Sequence, residues 1–115
     1  IGQHIASLTQ SHLMLRDPAT RSLTVMKLET ARLGRALGLV EGVVGGQDWL
    51  MANGFSGVDC AVGWSVWTAG RFVRLTPALQ AYVDRCTGRP AFRRALPQEG
   101  EPWLYDRDFY ELPDG

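Results

Sequence analysis

The chain is poor in the residues that most often carry chemistry. Its 115 residues hold only two cysteines and two histidines. Cys60 and Cys86 stand 26 positions apart, both inside helical patterns, which does not make a disulfide framework. That usage places the chain in a reducing, cytoplasmic setting. Net charge is also missing. Five basic residues meet five acidic ones in the first 60 positions, and seven meet seven in the last 55. A nucleic-acid-binding domain would show a basic excess, so no nucleic-acid partner is expected. No apolar run reaches the roughly 20 residues needed to cross a bilayer, so no membrane partner is expected either. The sequence has no Gly-rich phosphate loop, no zinc-ligand spacing and no Ser/His/Asp arrangement. Its start lacks a signal peptide. It begins at Ile1 without an initiator Met, so an upstream segment is expected to have been removed.

What remains is material for one helical core. Hydrophobic residues make up 45% and charged residues 21%, a balance that suits a single folded domain. Ile1, Ile5, Leu8, His12 or Leu13, and Leu15 recur at helical spacing, predicting a helix over residues 1–15 that is entered midway. Asp17-Pro18 reads as an N-cap followed by a first helical proline. A long helix is then predicted from Pro18 to about Val44. It carries one stripe of Leu23, Met26, Leu33, Leu37, Val40 and Val44. A second stripe holds Val25, Leu28, Ala36, Leu39 and Val43, so two packing partners are expected. Gly34, Gly38 and Gly42 share a face, either as a close backbone approach or as glycine tolerated in solvent. Gly45-Gly46 stops the helix. Trp49 and Leu50 anchor the loop that follows.

The organising stretch is Phe55-Ser56-Gly57-Val58-Asp59 and the uncharged run from Cys60 to Gly70. Ser56 and Asp59 have the spacing of a capping box, with Phe55 and Cys60 placed for a hydrophobic staple. A helix apolar on nearly all sides should be buried on nearly all sides, so a central buried helix is expected from Ser56 to about Phe72. Thr76-Pro77 opens the next helix, with Leu79, Tyr82, Val83 and Cys86 inward. Arg89-Pro90 opens a short last helix to about Leu96, with Ala91, Phe92 and Ala95 facing in. No strand signal, internal repeat or low-complexity tract competes. The helical domain is therefore set at residues 1–97. The tail, 98–115, carries six acids and four aromatics. It is expected to fold back over a basic face made by Arg85, Arg89, Arg93 and Arg94.

In order and spacing, Asp48-Trp49-Leu50, Phe55-Ser56-Gly57-Val58-Asp59, Pro77-Ala78-Leu79-Gln80-Ala81-Tyr82 and Arg85-Cys86-Thr87-Gly88-Arg89-Pro90-Ala91 resemble the C-terminal helical domain of the cytosolic glutathione transferases. Phe109-Tyr110-Glu111-Leu112-Pro113-Asp114-Gly115 looks like the ending of bacterial members. The resemblance covers roughly Pro18 to Leu96. It implies an all-α bundle of about five helices, preceded in an intact protein by a thioredoxin-like domain that this chain lacks. That domain would hold the catalytic Tyr, Ser or Cys and most contacts to glutathione. The helical domain would supply the wall of the pocket for an apolar electrophile and, through its first two helices, part of a homodimer interface. By resemblance, Ser56 and Asp59 are the capping residues. Pocket candidates are Trp64, Trp67 and Thr68 on the central helix and Ile5, Leu8 and His12 on the first. No tightly bound cofactor is implied; glutathione is a co-substrate.

The residues themselves give no catalytic centre. His4 and His12 are about 12 Å apart along a helix and cannot share a metal alone. Cys86, between Arg85 and Arg89, is the one cysteine placed for activation, since Cys60 lies in the run expected to be buried. Asp59, as a capping carboxylate bonded to amides, is a poor proton acceptor. The expected function is the co-substrate-binding domain of a glutathione transferase. The competing expectation is a non-catalytic helical interaction module.

Overall fold

A computed structural model of the chain describes residues 1–113; Asp114 and Gly115, the end of the tail motif, lie outside the described residues. Five α-helices follow one another: α1 Gly2–Thr9, α2 Leu23–Val44, α3 Gly57–Ala69, α4 Pro77–Thr87 and α5 Pro90–Ala95. The described residues contain no strand, so the protein is all-α. None of its helices is long and apolar enough to cross a membrane.

The first helix continues past Thr9 as a π-helical turn, Gln10–Met14, closed by the amide of Leu15 on the carbonyl of Gln10 at 2.9 Å. The long helix begins later than its pattern suggests. Asp17 does cap, but it caps a three-residue 3-10 turn at Pro18–Thr20. Ser22 then caps α2 through the amide of Val25 at 3.2 Å. The cause is local: the chain is extended at Arg21 and Ser22, which separates the turn from the helix. Only one of the two α2 stripes is covered. Met26, Leu33, Leu37 and Val44 are buried, while Val25, Leu28, Leu39 and Val43 are exposed, Leu39 by 78%. The glycines at 34, 38 and 42 meet nothing that a Cβ would touch. The glycine face is therefore solvated, with no backbone against it.

The core is built from Leu8 of α1, Leu33 and Leu37 of α2, Val66 and Ala69 of α3, and Leu79, Tyr82 and Val83 of α4. All four positions expected to face inward on α4 do so. The backbones of α3 and α4 come close at Gly63, where a Cβ would stand 2.7 Å from Cys86 Sγ. A bare glycine lets the Cys86 thiol lie against α3.

The central helix is less enclosed than its composition implies. Val66, Thr68 and Ala69 are buried, but Val58, Cys60 and Ala61 in its first turns are exposed. α3 packs on α4 and α1. These cover one side along its length, at Asp59, Gly63 and Val66, and leave the opposite side of the first turns in solvent. On α5, Phe92 is half-buried and Ala91 and Ala95 are exposed, because the short helix lies over the rim of the core and presents one large side chain to it.

The tail packs on the bundle, at a place other than the one expected. Tyr110 is buried and its amide donates to the carbonyl of Arg71 at 2.6 Å. Arg71 returns a bond from its guanidinium to the carbonyl of Arg107 at 2.6 Å. Arg74 sits over the Phe109 ring at 3.6 Å and faces Glu111 at 3.6 Å. The partners are thus Arg71 and Arg74, beyond the end of α3, and the arginines of α4 and α5 stay uncovered. The aromatic side chains decide the position: Tyr110 stacks on Phe72 at 5.5 Å, a buried apolar contact that an exposed arginine cluster cannot offer.

Candidate functional site

The capping box forms. The Asp59 carboxylate accepts from the amide of Ser56 at 3.1 Å, and Ser56 Oγ accepts from the amide of Val58 at 3.3 Å. Asp59 reaches further than a cap requires. Its other oxygen accepts from the amide of Leu50 at 3.1 Å and from the Tyr82 hydroxyl at 2.7 Å. One buried carboxylate therefore ties together the loop before α3, the first turn of α3 and the middle of α4. Burial and the bond to Asp59 push the Tyr82 hydroxyl well above its ordinary pKa. Tyr82 stays a neutral donor. With both oxygens engaged, Asp59 has no role as a base, as its capping position implied. Phe55 packs edge-on against Trp49 at 5.1 Å, while Cys60 points outward.

Cys86 is not an activated thiol. Burial raises its pKa, outweighing the hydrogen bond with Tyr82 and the field of Arg85. The cysteine that is exposed is Cys60, the reverse of the expectation from the uncharged run. The two histidines have separate structural partners. His4 Nδ1 lies 2.6 Å from the Glu29 carboxylate and so clips α1 to α2. His12 sits between Phe72 at 5.5 Å and Tyr110 at 5.8 Å. Burial and then the charge of Arg21 lower its pKa, favouring the neutral ring. Among the described residues, no three His, Cys, Asp or Glu side chains converge on a metal position.

The six candidate pocket residues do not gather around one cavity. Leu8 and Thr68 are core residues, and the Thr68 hydroxyl is spent on the carbonyl of Trp64 at 2.9 Å. Trp64 and Trp67 pack at 5.1 Å with their rings tilted by 52°, and both meet Phe92. Trp64 lines a small cavity of about 180 Å³ between α3 and α5. Trp67 opens on the other side, in a cleft of about 320 Å³ shared with Arg71 and Arg74. Ile5 lines an open hollow of about 660 Å³ along α1, with Thr9, Met14 and Tyr105. His12 borders a more polar cleft of about 470 Å³, where Arg16, Arg21 and Arg107 converge with Asp106 and Glu111.

The hollow on α1 is the most apolar of the larger concavities. The tail closes one end of it: the Tyr105 hydroxyl meets Thr9 Oγ1 at 3.0 Å. Tyr105 is held from behind by Arg71, whose guanidinium packs against Trp67, Trp103 and Tyr105 at 5.0, 5.9 and 5.4 Å. Arg71 Nε is buried with no hydrogen-bond partner among the described residues; the three rings around it make the contact a cation–π one. Sequence reasoning missed Thr9, Met14, Tyr105 and Arg71. The only available signal was the surplus of tail aromatics, which says that the tail docks without saying where.

No protein-family model, curated protein or solved structure matches the chain. Its function is therefore read from its own residues. Among the described residues they offer an open apolar hollow along α1 and a smaller apolar cavity with Arg89 on its lining.

Proposed function

We propose that this chain is the helical, co-substrate-binding half of a cytoplasmic glutathione-transferase-like protein. The observation that carries the reading is the apolar hollow on α1, with Ile5 in its wall and Tyr105 at its end. A wall of this kind suits an apolar electrophile, and the two hydroxyls on it, of Thr9 and Tyr105, are bonded to each other. The order of landmarks supports it: a loop anchored by Trp49 and Leu50, a Ser56–Asp59 box opening α3, and Pro77 and Pro90 opening α4 and α5. In the intact protein, glutathione and the residue that ionises it belong to a thioredoxin-like domain ahead of Ile1, and two such chains pair as a homodimer. Attack of the glutathione thiolate on the electrophile would take place at the mouth of the hollow. A second reading, a non-catalytic interaction module built on the same helices, is favoured by the uncovered stripe of α2 at Val25, Leu28, Leu39 and Val43.

The coding sequence upstream of Ile1 separates the two. A βαβ pattern with a cis-Pro turn and a nearby Tyr, Ser or Cys is expected. Its absence sinks the transferase reading. The 115-residue chain alone is expected to conjugate no glutathione to a model electrophile, and measurable turnover would show that the chemistry lies here after all.

A further inference from the structure

The four arginines that the tail was expected to cover are left uncovered by it, and three of them are held in place by neutral groups. Arg85 Nε donates to the carbonyl of Asp48 at 2.9 Å. Arg89 lies flat over Phe55 at 3.5 Å and near Trp49 at 5.9 Å. Arg93 donates to the carbonyls of Thr87 and Gly88, at 3.3 and 2.9 Å. Arg94 is fully outward on α5. The ion pairs among the described residues lie elsewhere, at His4–Glu29–Arg32 and Arg74–Glu111. Three guanidiniums are thus oriented by carbonyls or a ring face while their charge is left un-neutralised. The acids close to them in the chain or on the cavity, Asp48, Asp59 and Asp84, form no ion pair with these arginines among the described residues; the Asp59 carboxylate is turned to its three donors and that of Asp84 to Gln80 at 2.9 Å.

Beside this face opens the cavity between α3 and α5. Its walls are mostly apolar, Phe55, Trp64, Phe92 and Ala95 among them, with Arg89, Cys60 and the edge of the buried Asp59 also on its lining. At about 180 Å³ it falls below the roughly 300–1,000 Å³ of small-molecule sites. It has room for a single large side chain.

We propose that this face docks an acidic peptide segment of a partner protein, with one large apolar residue seated in the α3–α5 cavity and flanking carboxylates on Arg89, Arg93 and Arg94. Charge complementarity selects the acidic segment, since guanidiniums already fixed in direction lose little freedom when they take up a carboxylate. The cavity selects an apolar anchor within that segment, which free anions and polyphosphates lack. The site is separate from the hollow on α1 and stands or falls independently of the transferase reading.

The test uses the whole chain and a fluorescein-labelled peptide, Glu-Glu-Phe-Glu-Glu, followed by anisotropy. Saturable binding is expected. It should weaken as ionic strength rises from about 0.1 to about 1 M, where the screening length falls from roughly 10 to 3 Å. Replacing the peptide Phe by Gly, or its Glu residues by Lys, is expected to abolish it. Arg94→Glu, on an exposed side chain with no hydrogen bond or ion pair among the described residues, is expected to weaken binding about tenfold or more by setting like charges together, with an unchanged unfolding midpoint. Bound peptide is expected to slow maleimide labelling of the exposed Cys60, read by mass against the buried Cys86. Equal binding of the Lys peptide, or no effect of Arg94→Glu, overturns the proposal. So does chain self-association, or adsorption to phosphatidylserine vesicles, that Arg94→Glu removes while the Glu peptide fails to bind.

Discussion

Two irregular segments are fastened to the two ends of α3, and they are fastened by opposite means. The loop at residues 47–54 is held by a buried carboxylate: Asp59 gathers the amides of Leu50 and Ser56 and the hydroxyl of Tyr82 within 3.1 Å. The tail at residues 103–113 is held by rings and a guanidinium: Tyr110 on Phe72, and Arg71 among Trp67, Trp103 and Tyr105. The first junction is short-range, directional and intolerant. Removing one atom set leaves several buried donors without partners. The second is broad and built from dispersion and quadrupole attraction, so each contact is replaceable in part. A buried anion specifies a geometry; an aromatic cluster specifies a neighbourhood.

The sharpest break of that contrast is Asp59→Ala. It orphans donors that each cost roughly 1–3 kcal/mol when buried and unsatisfied, so a loss of about 3 kcal/mol or more is expected in urea unfolding. Ser56→Ala, which removes only the local cap bond, should cost about 1 kcal/mol. Equal effects of the two would mean that Asp59 acts as a cap alone. Next in size is Tyr110→Ala, expected to cost roughly 2 kcal/mol, below the ~3–5 of a rigidly packed aromatic. Hydrogen exchange should accelerate across the tail and leave the loop at 47–54 protected. If both segments loosen together, the junctions are one unit.

A third substitution pair tests close packing against open surface. Gly63→Ala forces a Cβ to within 2.7 Å of Cys86 Sγ and should cost about 1–2 kcal/mol, recovered in part by Cys86→Ala. Gly38→Ala meets nothing and should stabilise by roughly 0.5–1 kcal/mol. The smallest effect is a pH dependence at the His4–Glu29 clip. The hydrogen bond with His4, then that with Arg32, holds the Glu29 carboxyl below its usual 4.5. Because the folded value is the lower one, the clip's contribution is present above about 4.5 and fades as pH falls through the folded value. Glu29→Gln should flatten that acid-side decline in the unfolding midpoint, and an unaltered profile would remove the clip from the account.

Much of the fold is legible in residues close together in the chain. Pro77 and Pro90 start helices, Gly45 and Gly88 follow them, and the spacing of Ser56 and Asp59 announces a box that forms. These are signals between neighbours, and neighbours in sequence are neighbours in space whatever the rest of the chain does. Burial was harder to read. The two stripes of α2 look alike in composition, yet one is core and the other faces solvent. Cys60, in the uncharged run, is exposed, while Cys86 is buried on α4 as its spacing suggests. The cavity candidates, which the resemblance implied, line separate cavities: Ile5 the hollow on α1, Trp64 the cavity against α5, Trp67 and His12 two other clefts.

The sequence by itself determined the all-helical class, the order of the helices and the caps that open α3 and α4. Each follows from local periodicity, capping chemistry or composition. Only the tertiary structure decided that Asp59 binds Leu50 and Tyr82 as well as its own helix. It also decided that the tail lies on Arg71 and not on the arginines of α5, and which apolar stripes stay open. Those outcomes depend on which surfaces meet across long separations in the chain, and hydrophobic attraction has no direction that a linear pattern could record.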